Sequence, residues 1–292
     1  MLSCENFSRL ERQIKSYPHL PVDLIIVRNG ASDGSVIINA GKKGIEKMKK
    51  YKPELRKVHN SKWRLTEFGI FQAKAAGRWI KENFSKPFDA YLTGEYIRSL
   101  ETAARLDLKE AKWIPSLYLR PRDFGAFSEL DRQFSKAEFN EHMREKSRDS
   151  FYWTPPNGES IAHLTLRTER VINWIRTHVP ENGSAIIVTH KDVMDCLRIR
   201  IERISQMDYK KKVAEPPFNH ILYYGSILQY TRRNPNTNEV VPHYRWMRVI
   251  TPWLGKHFSP PEFEPIITKH YGNSELIGEV SNVPHLFKEI IE

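Results

Sequence analysis

The chain has 292 residues, enough for one large domain with a buried core. Its 40% hydrophobic content excludes an intrinsically disordered chain. Its longest apolar runs, such as Ala185 to Val188, are too short to cross a bilayer. Lysine and arginine outnumber the acids 46 to 35, a net charge of +11. That balance favours anionic ligands, although a solvated basic surface alone would produce it too. Two distant cysteines, Cys4 and Cys196, imply no disulfide framework. With charges interrupting any apolar signal pattern near the N-terminus, the expected location is cytoplasmic.

In chain order, residues 5 to 16 read as a short amphipathic helix. Asp23 to Val27 carries a continuous apolar run, as in a strand buried on both faces of a parallel sheet, and ends abruptly at Arg28-Asn29-Gly30. Residues 31 to 64 show no clean period and read as a long loop with a helical turn or two; Lys42, Lys43, Lys47, Lys49, Lys50, Lys52, Arg56, Lys57, Lys62 and Arg64 crowd its second half. Thr66 caps a helix running through Ile80. Phe88 to Thr93 is a second strand, followed by a helix from Glu95 to about Leu106. Ile114 to Leu119 is extended, 132 to 150 has helical potential, and Pro155-Pro156-Asn157-Gly158 marks a sharp turn. A helix from Ser160 to about His178 leads to a buried-type strand, Ala185 to Thr189, that ends at His190. Asp192 to Ile204 is helical. Ile221 to Tyr230 and His243 to Ile250 read as strands joined by an Asn-rich turn at 234 to 238. Strands alternating with helices predict an α/β layered fold with a mostly parallel central sheet, in which ligands sit beyond the carboxyl ends of the strands. Arg28-Asn29 and Thr189-His190 both stand at such ends.

Several segments carry a resemblance. Ile25-Ile26-Val27-Arg28-Asn29-Gly30-Ala31-Ser32 resembles the strand-Arg-His-Gly-x-Ser signature of the histidine-phosphatase (phosphoglycerate-mutase-like) superfamily. Leu65-Thr66-Glu67-Phe68-Gly69 with Gln72-Ala73 resembles its Leu-Thr-x-x-Gly-x-x-Gln-Ala helix. Arg98-Ser99-Leu100-Glu101-Thr102-Ala103, Gly158-Glu159-Ser160 with Arg167, and Ile186-Ile187-Val188-Thr189-His190 resemble the remaining motifs, in family order over roughly residues 22 to 230. The resemblance implies a three-layer sandwich in one domain spanning 1–292, with a core at about 20–230 and a C-terminal extension at 231–292.

It also implies a site. A phosphomonoester carries close to two negative charges. Two arginines, carried over to Arg28 and Arg98, grip its oxygens through charge-assisted hydrogen bonds, and His190 stands where the second histidine does. In the family a neutral imidazole attacks phosphorus in line and a carboxylic acid protonates the leaving oxygen, with no metal or other cofactor. This chain departs at two positions. Asn29 stands at the nucleophile position, and a delocalised amide nitrogen has no free lone pair, so it forms no phospho-intermediate; it still donates a hydrogen bond to phosphate. Pro121 stands at the position of the family's acid. Asp123, two residues on, is a candidate replacement acid or a turn acid. Ser35 and Ser32 either bind phosphate or cap a turn. Arg167 reads as a structural ion-pair residue. Lys191, in place of the usual glycine after the second histidine, adds a cation beside the phosphate or a surface charge.

The function implied is that of a phosphohydrolase acting on a phosphomonoester through phosphohistidine, inactive or crippled in this chain because of Asn29. The alternative is a natural pseudophosphatase that holds a phosphorylated ligand without turnover. An engineered histidine-to-asparagine change and natural decay would both leave Asn29; one altered residue speaks for engineering and a second, Pro121, for decay, so the sequence leaves the two even. The expected partner is an anionic phosphorylated small molecule or nucleotide, with the lysine-rich loop at 42 to 64 rimming the pocket or simply solvated. No membrane contact is expected, and nucleic acid ranks last because no nucleic-acid motif accompanies the charge. The sequence leaves the oligomeric state and the leaving group open.

Overall fold

The computed structural model describes residues 19–42, 51–127, 135–268 and 270–284. The helix expected at 5 to 16 and Lys43, Lys47, Lys49 and Lys50 of the basic loop lie outside the described residues. A single seven-stranded sheet organises the chain. Its strands are β1 (Asp23–Arg28), β2 (Ala90–Gly94), β3 (Trp113–Ser116), β4 (Ser184–Thr189), β5 (Ile227–Thr231), β6 (Trp246–Ile250) and β7 (Glu264–Pro265), in the order β3-β2-β4-β1-β5-β6-β7. β3, β2, β4 and β1 pair in parallel, whereas β5, β6 and β7 join by antiparallel pairings. The sheet is therefore mixed, with the expected parallel arrangement where the two polar strand ends lie.

The continuous apolar runs of β1 and β4 follow from burial on both faces. Leu24, Ile26, Ala185 and Ile187 point to one side, into a core shared with α6 (Ile161–His178) and α7 (Lys191–Ile201). Ile25, Val27, Ile186 and Val188 point to the other, against Ala76 and Ile80 of α3 (Glu67–Asn83) and Ala103 of α4 (Ile97–Arg105). Alternation along each strand distributes one sequence run between two cores, which produces the three layers. Burying each such aliphatic side chain stabilises the fold by about 1.5–3 kcal/mol relative to exposure.

Helix starts follow local chemistry. The Thr66 hydroxyl accepts from the Gly69 amide, and that of Ser160 from the His163 amide, as expected for these caps. The stretch read as loop after β1 instead holds a ten-residue helix, α1 (Asp33–Lys42), and a short one, α2 (Lys52–Arg56). Gly34 sits beneath the Trp63 indole, where an added Cβ would come within 2.0 Å of the ring. The glycine that weakens the helical pattern in sequence is the one that lets the long loop pack back on α1. The remaining helices are α5 (Lys136–Arg148), α8 (Gln206–Tyr209) and α9 (Asn273–Ser281). Among the described residues no helix is long and apolar enough to cross a membrane, and no group of three or more histidines, cysteines or acids could hold a metal ion.

One buried ion pair anchors α7. Arg198, 2% exposed, donates from Nε to Glu202 Oε1 at 2.8 Å, and the Tyr230 hydroxyl of β5 donates to the same oxygen. Truncation by Glu202→Ala would leave a buried guanidinium unpaired, and an uncompensated buried charge costs about 3–5 kcal/mol. Urea unfolding of this variant is expected to show that loss, whereas the joint replacement of Arg198 and Glu202 by leucines should cost markedly less.

Candidate active site

The parallel register of β1 and β4 pairs Arg28 with Thr189, so both chains leave the sheet side by side. The Asn29 amide donates to the Thr189 carbonyl at 2.8 Å, which extends the ladder one residue and brings Asn29 and His190 together at the carboxyl edge. Gly30 then passes close to α3: a Cβ there would lie 2.4 Å from the Gly69 carbonyl oxygen, so only glycine allows the approach. The Gly30 amide donates to Thr102 Oγ1 at 3.1 Å, and that hydroxyl donates to the Arg98 carbonyl at 2.6 Å. The tip of β1 is thereby tied to the helix that carries Arg98.

The side chains around this tip are buried, with Asn29 3% and His190 5% exposed. Arg28 lies over the Tyr224 ring at 3.8 Å and donates from Nη1 to the Leu222 carbonyl, but its buried Nε has no hydrogen-bond partner. Arg98 lies over the Tyr96 ring at 4.9 Å and donates from Nη1 to the Asn60 carbonyl at 2.7 Å. Burial lowers the pKa of both guanidiniums. His190 is the N-cap residue of α7, yet its side chain makes no capping bond. Its Nε2 is buried without a hydrogen-bond partner and lies 3.3 Å from where a Cβ on Gly94 would stand. The Ser32 hydroxyl is likewise buried and unpartnered. A buried polar group without a partner costs roughly 1–3 kcal/mol, so these atoms destabilise the fold unless an oxygen-rich ligand engages them.

Burial first, then the charges of Arg98, Arg28 and Arg167, holds the His190 imidazole well below its ordinary 6.5. The folded value lies below the unfolded one, so the unfolded chain binds more protons as pH falls below 6.5, and stability falls with it. One proton accounts for at most about 1.4 kcal/mol per pH unit. The His190→Gln variant should lose this part of the acid limb, a flattening read by urea melts on either side of the ordinary histidine range. An unchanged limb would mean that neither burial nor the nearby arginines hold His190 neutral.

The structure gathers Arg28, Asn29, Arg98 and His190, and it engages several other expected residues elsewhere. The Ser35 hydroxyl accepts from the Ser32 amide at 2.8 Å and donates to the Ser32 carbonyl at 2.7 Å, so it closes the turn into α1; the unpartnered hydroxyl is that of Ser32. Asp123 is exposed and accepts the Gly125 amide on Oδ1 at 2.7 Å, as a turn acid does. Its charge still reaches Tyr96, whose phenol is raised by burial first, with Arg98 opposing and Asp123 adding to the rise. Arg167 donates to the carbonyls of Tyr118, Arg120 and Pro121 and binds both oxygens of Glu159. Burial works against the Glu159 carboxylate, yet the Arg167 bonds and the Asp123 amide hold it below the ordinary range. This clamp fixes the segment containing Pro121. Lys191 reaches the buried Asp195 at 2.6 Å and is thus ion-paired. In the described part of the basic loop, Lys57 pairs with Glu54 and Arg64 with Glu101. Tyr96, Tyr224 and Asn60, which orient the two arginines, carried no motif in the sequence.

The sequence and the fold have known relatives. The model of the histidine phosphatase superfamily (branch 1) matches residues 50–234. The match includes Arg98 and His190 and begins after the Arg28-Asn29 segment, which the fold itself brings to the site. A 2,3-bisphosphoglycerate-dependent phosphoglycerate mutase of Bartonella tribocorum is 27% identical over 146 residues, 48% of this chain and 70% of that protein. The mycobacterial glucosyl-3-phosphoglycerate phosphatase in complex with inorganic phosphate superposes with a TM-score of 0.51 at 17% identity, over 72% of this chain and 89% of its own. An Entamoeba histolytica phosphoserine phosphatase in complex with 3-phosphoglyceric acid gives 0.50 at 17% identity, over 77% and 96%. These two structures share the fold.

Proposed function

This chain belongs to the histidine phosphatase superfamily, and we propose that its site binds a phosphorylated small molecule without passing through a phosphohistidine. The observation that carries this reading is the pairing of unsatisfied donors with an incompetent nucleophile. Arg28 Nε is buried without a partner beside the strand tip, while the residue at that tip is Asn29, whose Nδ2 donates to the Gly30 carbonyl at 2.8 Å. Phosphate oxygens accept from guanidinium donors in a low-dielectric site, where charge-assisted bonds are strongest. An amide nitrogen adds a donor there and no electron pair. The ligands named for the similar folds, inorganic phosphate and 3-phosphoglyceric acid, support this ligand class.

The electrostatic half of a phosphohydrolase is thus present in Arg28, Arg98 and His190. The nucleophilic half is replaced by Asn29, and the acid half by Pro121. Binding with negligible turnover follows from that division. Calorimetric titration of the full chain with inorganic phosphate, beside a phosphate-release assay on phosphomonoesters, tests it. Saturable binding with no release above the uncatalysed rate is expected. Rapid release, or no phosphate binding at all, would sink the reading.

A further inference from the structure

At the far end of the sheet a cavity of about 420 Å³ gathers Arg176 of α6, Arg200 of α7, Arg203 just beyond α7, and Arg245 before β6. We propose that it is a second anion-binding site, taking a small molecule with two or more phosphate groups. Its residues precede β1 and β6, lie in α6 and at the C-terminal end of α7, or follow α7 and β7, whereas Arg28 and His190 stand where β1 and β4 end and α7 begins. The eleven residues of α7 alone separate the two places by about 16 Å at ~1.5 Å per residue. This cavity is therefore not an extension of the phosphate site.

Charge selects the ligand class. Among the described residues the only carboxylate in the cavity lining is Glu169, and it is spent on Arg200 through an ion pair. Arg176 bonds, among the described residues, only the neutral amide oxygen of Asn173. Among the described residues Arg203 and Arg245 have no acidic partner, and both are exposed. Three guanidinium charges are left without compensation in one concavity. Arg203 also adopts a left-handed backbone (φ 54°), in a position after a helix where glycine or asparagine is usual. Tyr244, part of the wall, is buried with a hydroxyl that makes no hydrogen bond. The imidazole of His243, another lining residue, is lowered by burial first and then by Arg203, which reports how closely these charges converge.

Size selects a small ligand over a polymer. Cavities of roughly 300–1,000 Å³ enclose small molecules, and arginine forks match phosphate oxygens bidentately. One monoanion would leave most of the positive charge uncompensated, whereas a di- or triphosphate would neutralise it.

Inorganic tripolyphosphate is the probe, titrated calorimetrically into the full chain at about 0.15 M salt, near physiological ionic strength. In the R28Q/R98Q variant, which disables the other site, one equivalent is still expected to bind. Adding R203Q/R245Q should weaken that binding by about 100-fold or more, the loss of two charge-assisted contacts. In the unsubstituted chain the same titration should move the His243 ring resonances and raise its pKa, a readout independent of how the variants fold. Loss of all binding in R28Q/R98Q with a still His243, or an unchanged affinity in the fourfold variant, overturns the proposal. Binding of an RNA oligonucleotide without binding of tripolyphosphate overturns it as well. Because the primary site is disabled in the decisive arm, failure here leaves the reading of Arg28 and His190 untouched.

Discussion

Replacing Arg28 by glutamine is expected to weaken phosphate binding by about 10- to 150-fold while leaving the ligand-free chain within about 1 kcal/mol of its original stability. The first figure is the worth of a hydrogen bond to a charged group, about 1.5–3 kcal/mol, converted at 1.4 kcal/mol per factor of ten. The second comes from the cost of keeping the guanidinium where it is. Arg28 is held with its Nε unsatisfied, and burial lowers its pKa even though Tyr224, Asp192 and Asp195 favour the charged form. Glutamine removes the buried charge and gives up one hydrogen bond, that to the Leu222 carbonyl, worth about 1 kcal/mol net. A residue retained for stability would behave in the opposite way, since breaking a buried compensated pair costs several kcal/mol. Arg98→Gln is expected to act alike, because Arg98 bonds a neutral carbonyl, that of Asn60, and no acid. Calorimetry with inorganic phosphate and urea unfolding of the same samples separate the two outcomes. Unaltered affinity in both variants, or a large loss of stability without loss of affinity, would falsify the phosphate-cradle assignment.

How far such a site can be read from sequence depends on whether its parts are local. The runs Leu24 to Val27 and Ala185 to Val188 mark buried parallel strands because both faces of each strand are covered, and their polar ends locate Arg28 and His190. Thr66 and Ser160 mark helix starts because a hydroxyl cap acts within three residues. The antiparallel half of the sheet was less legible. Its strands are shorter than the apolar segments that contain them, and β5 pairs with β1 across two hundred residues. α1 was hidden because Gly34 argues against a helix locally, and its reason, the Trp63 ring, lies in another segment. The same non-locality concealed the supports of the site. Tyr224 packs on Arg28 from 196 positions away, and nothing in its neighbours in sequence announces that role. Ser35 and Asp123 show the converse: residues of the right chemistry, near the right motif, are engaged by their own turns. For short polar side chains beside a bend, the local hydrogen bond competes directly with the ligand.

Placing histidine at position 29 should supply the family's nucleophilic step in part, and the part supplied should depend on the leaving group. In Asn29→His the ring would start from a buried strand tip whose amide is fixed to the Thr189 carbonyl at 2.8 Å, directly after Arg28 and across the strand pair from His190. The burial, and after it the arginine charges, that depress His190 would act on the new imidazole too and keep it neutral, the form that has a lone pair to attack phosphorus. Attack forms the N–P bond and breaks the P–O bond to the leaving group. With p-nitrophenyl phosphate the departing oxygen is weakly basic and needs no proton, so the N29H variant is expected to give an acid-labile phospho-adduct by mass spectrometry and measurable turnover. With an alkyl phosphate the leaving oxygen must be protonated, and at position 121 there is a proline. General acid catalysis contributes about 10²–10⁴-fold, so alkyl phosphates should remain slow in N29H by that margin. The double variant N29H/P121E supplies a carboxylic acid on a segment that Arg167 and Glu159 already hold in place. It should accelerate alkyl phosphates selectively while changing p-nitrophenyl phosphate little. If Asp123 is the working acid despite its bond to Gly125, N29H alone will turn over both substrates comparably and N29H/D123N will lose only the alkyl phosphate. If neither N29H nor the double variant forms an adduct while both still bind phosphate, the strand tip is not aimed in line with the phosphorus, and the site is a binding site by geometry as well as by residue type.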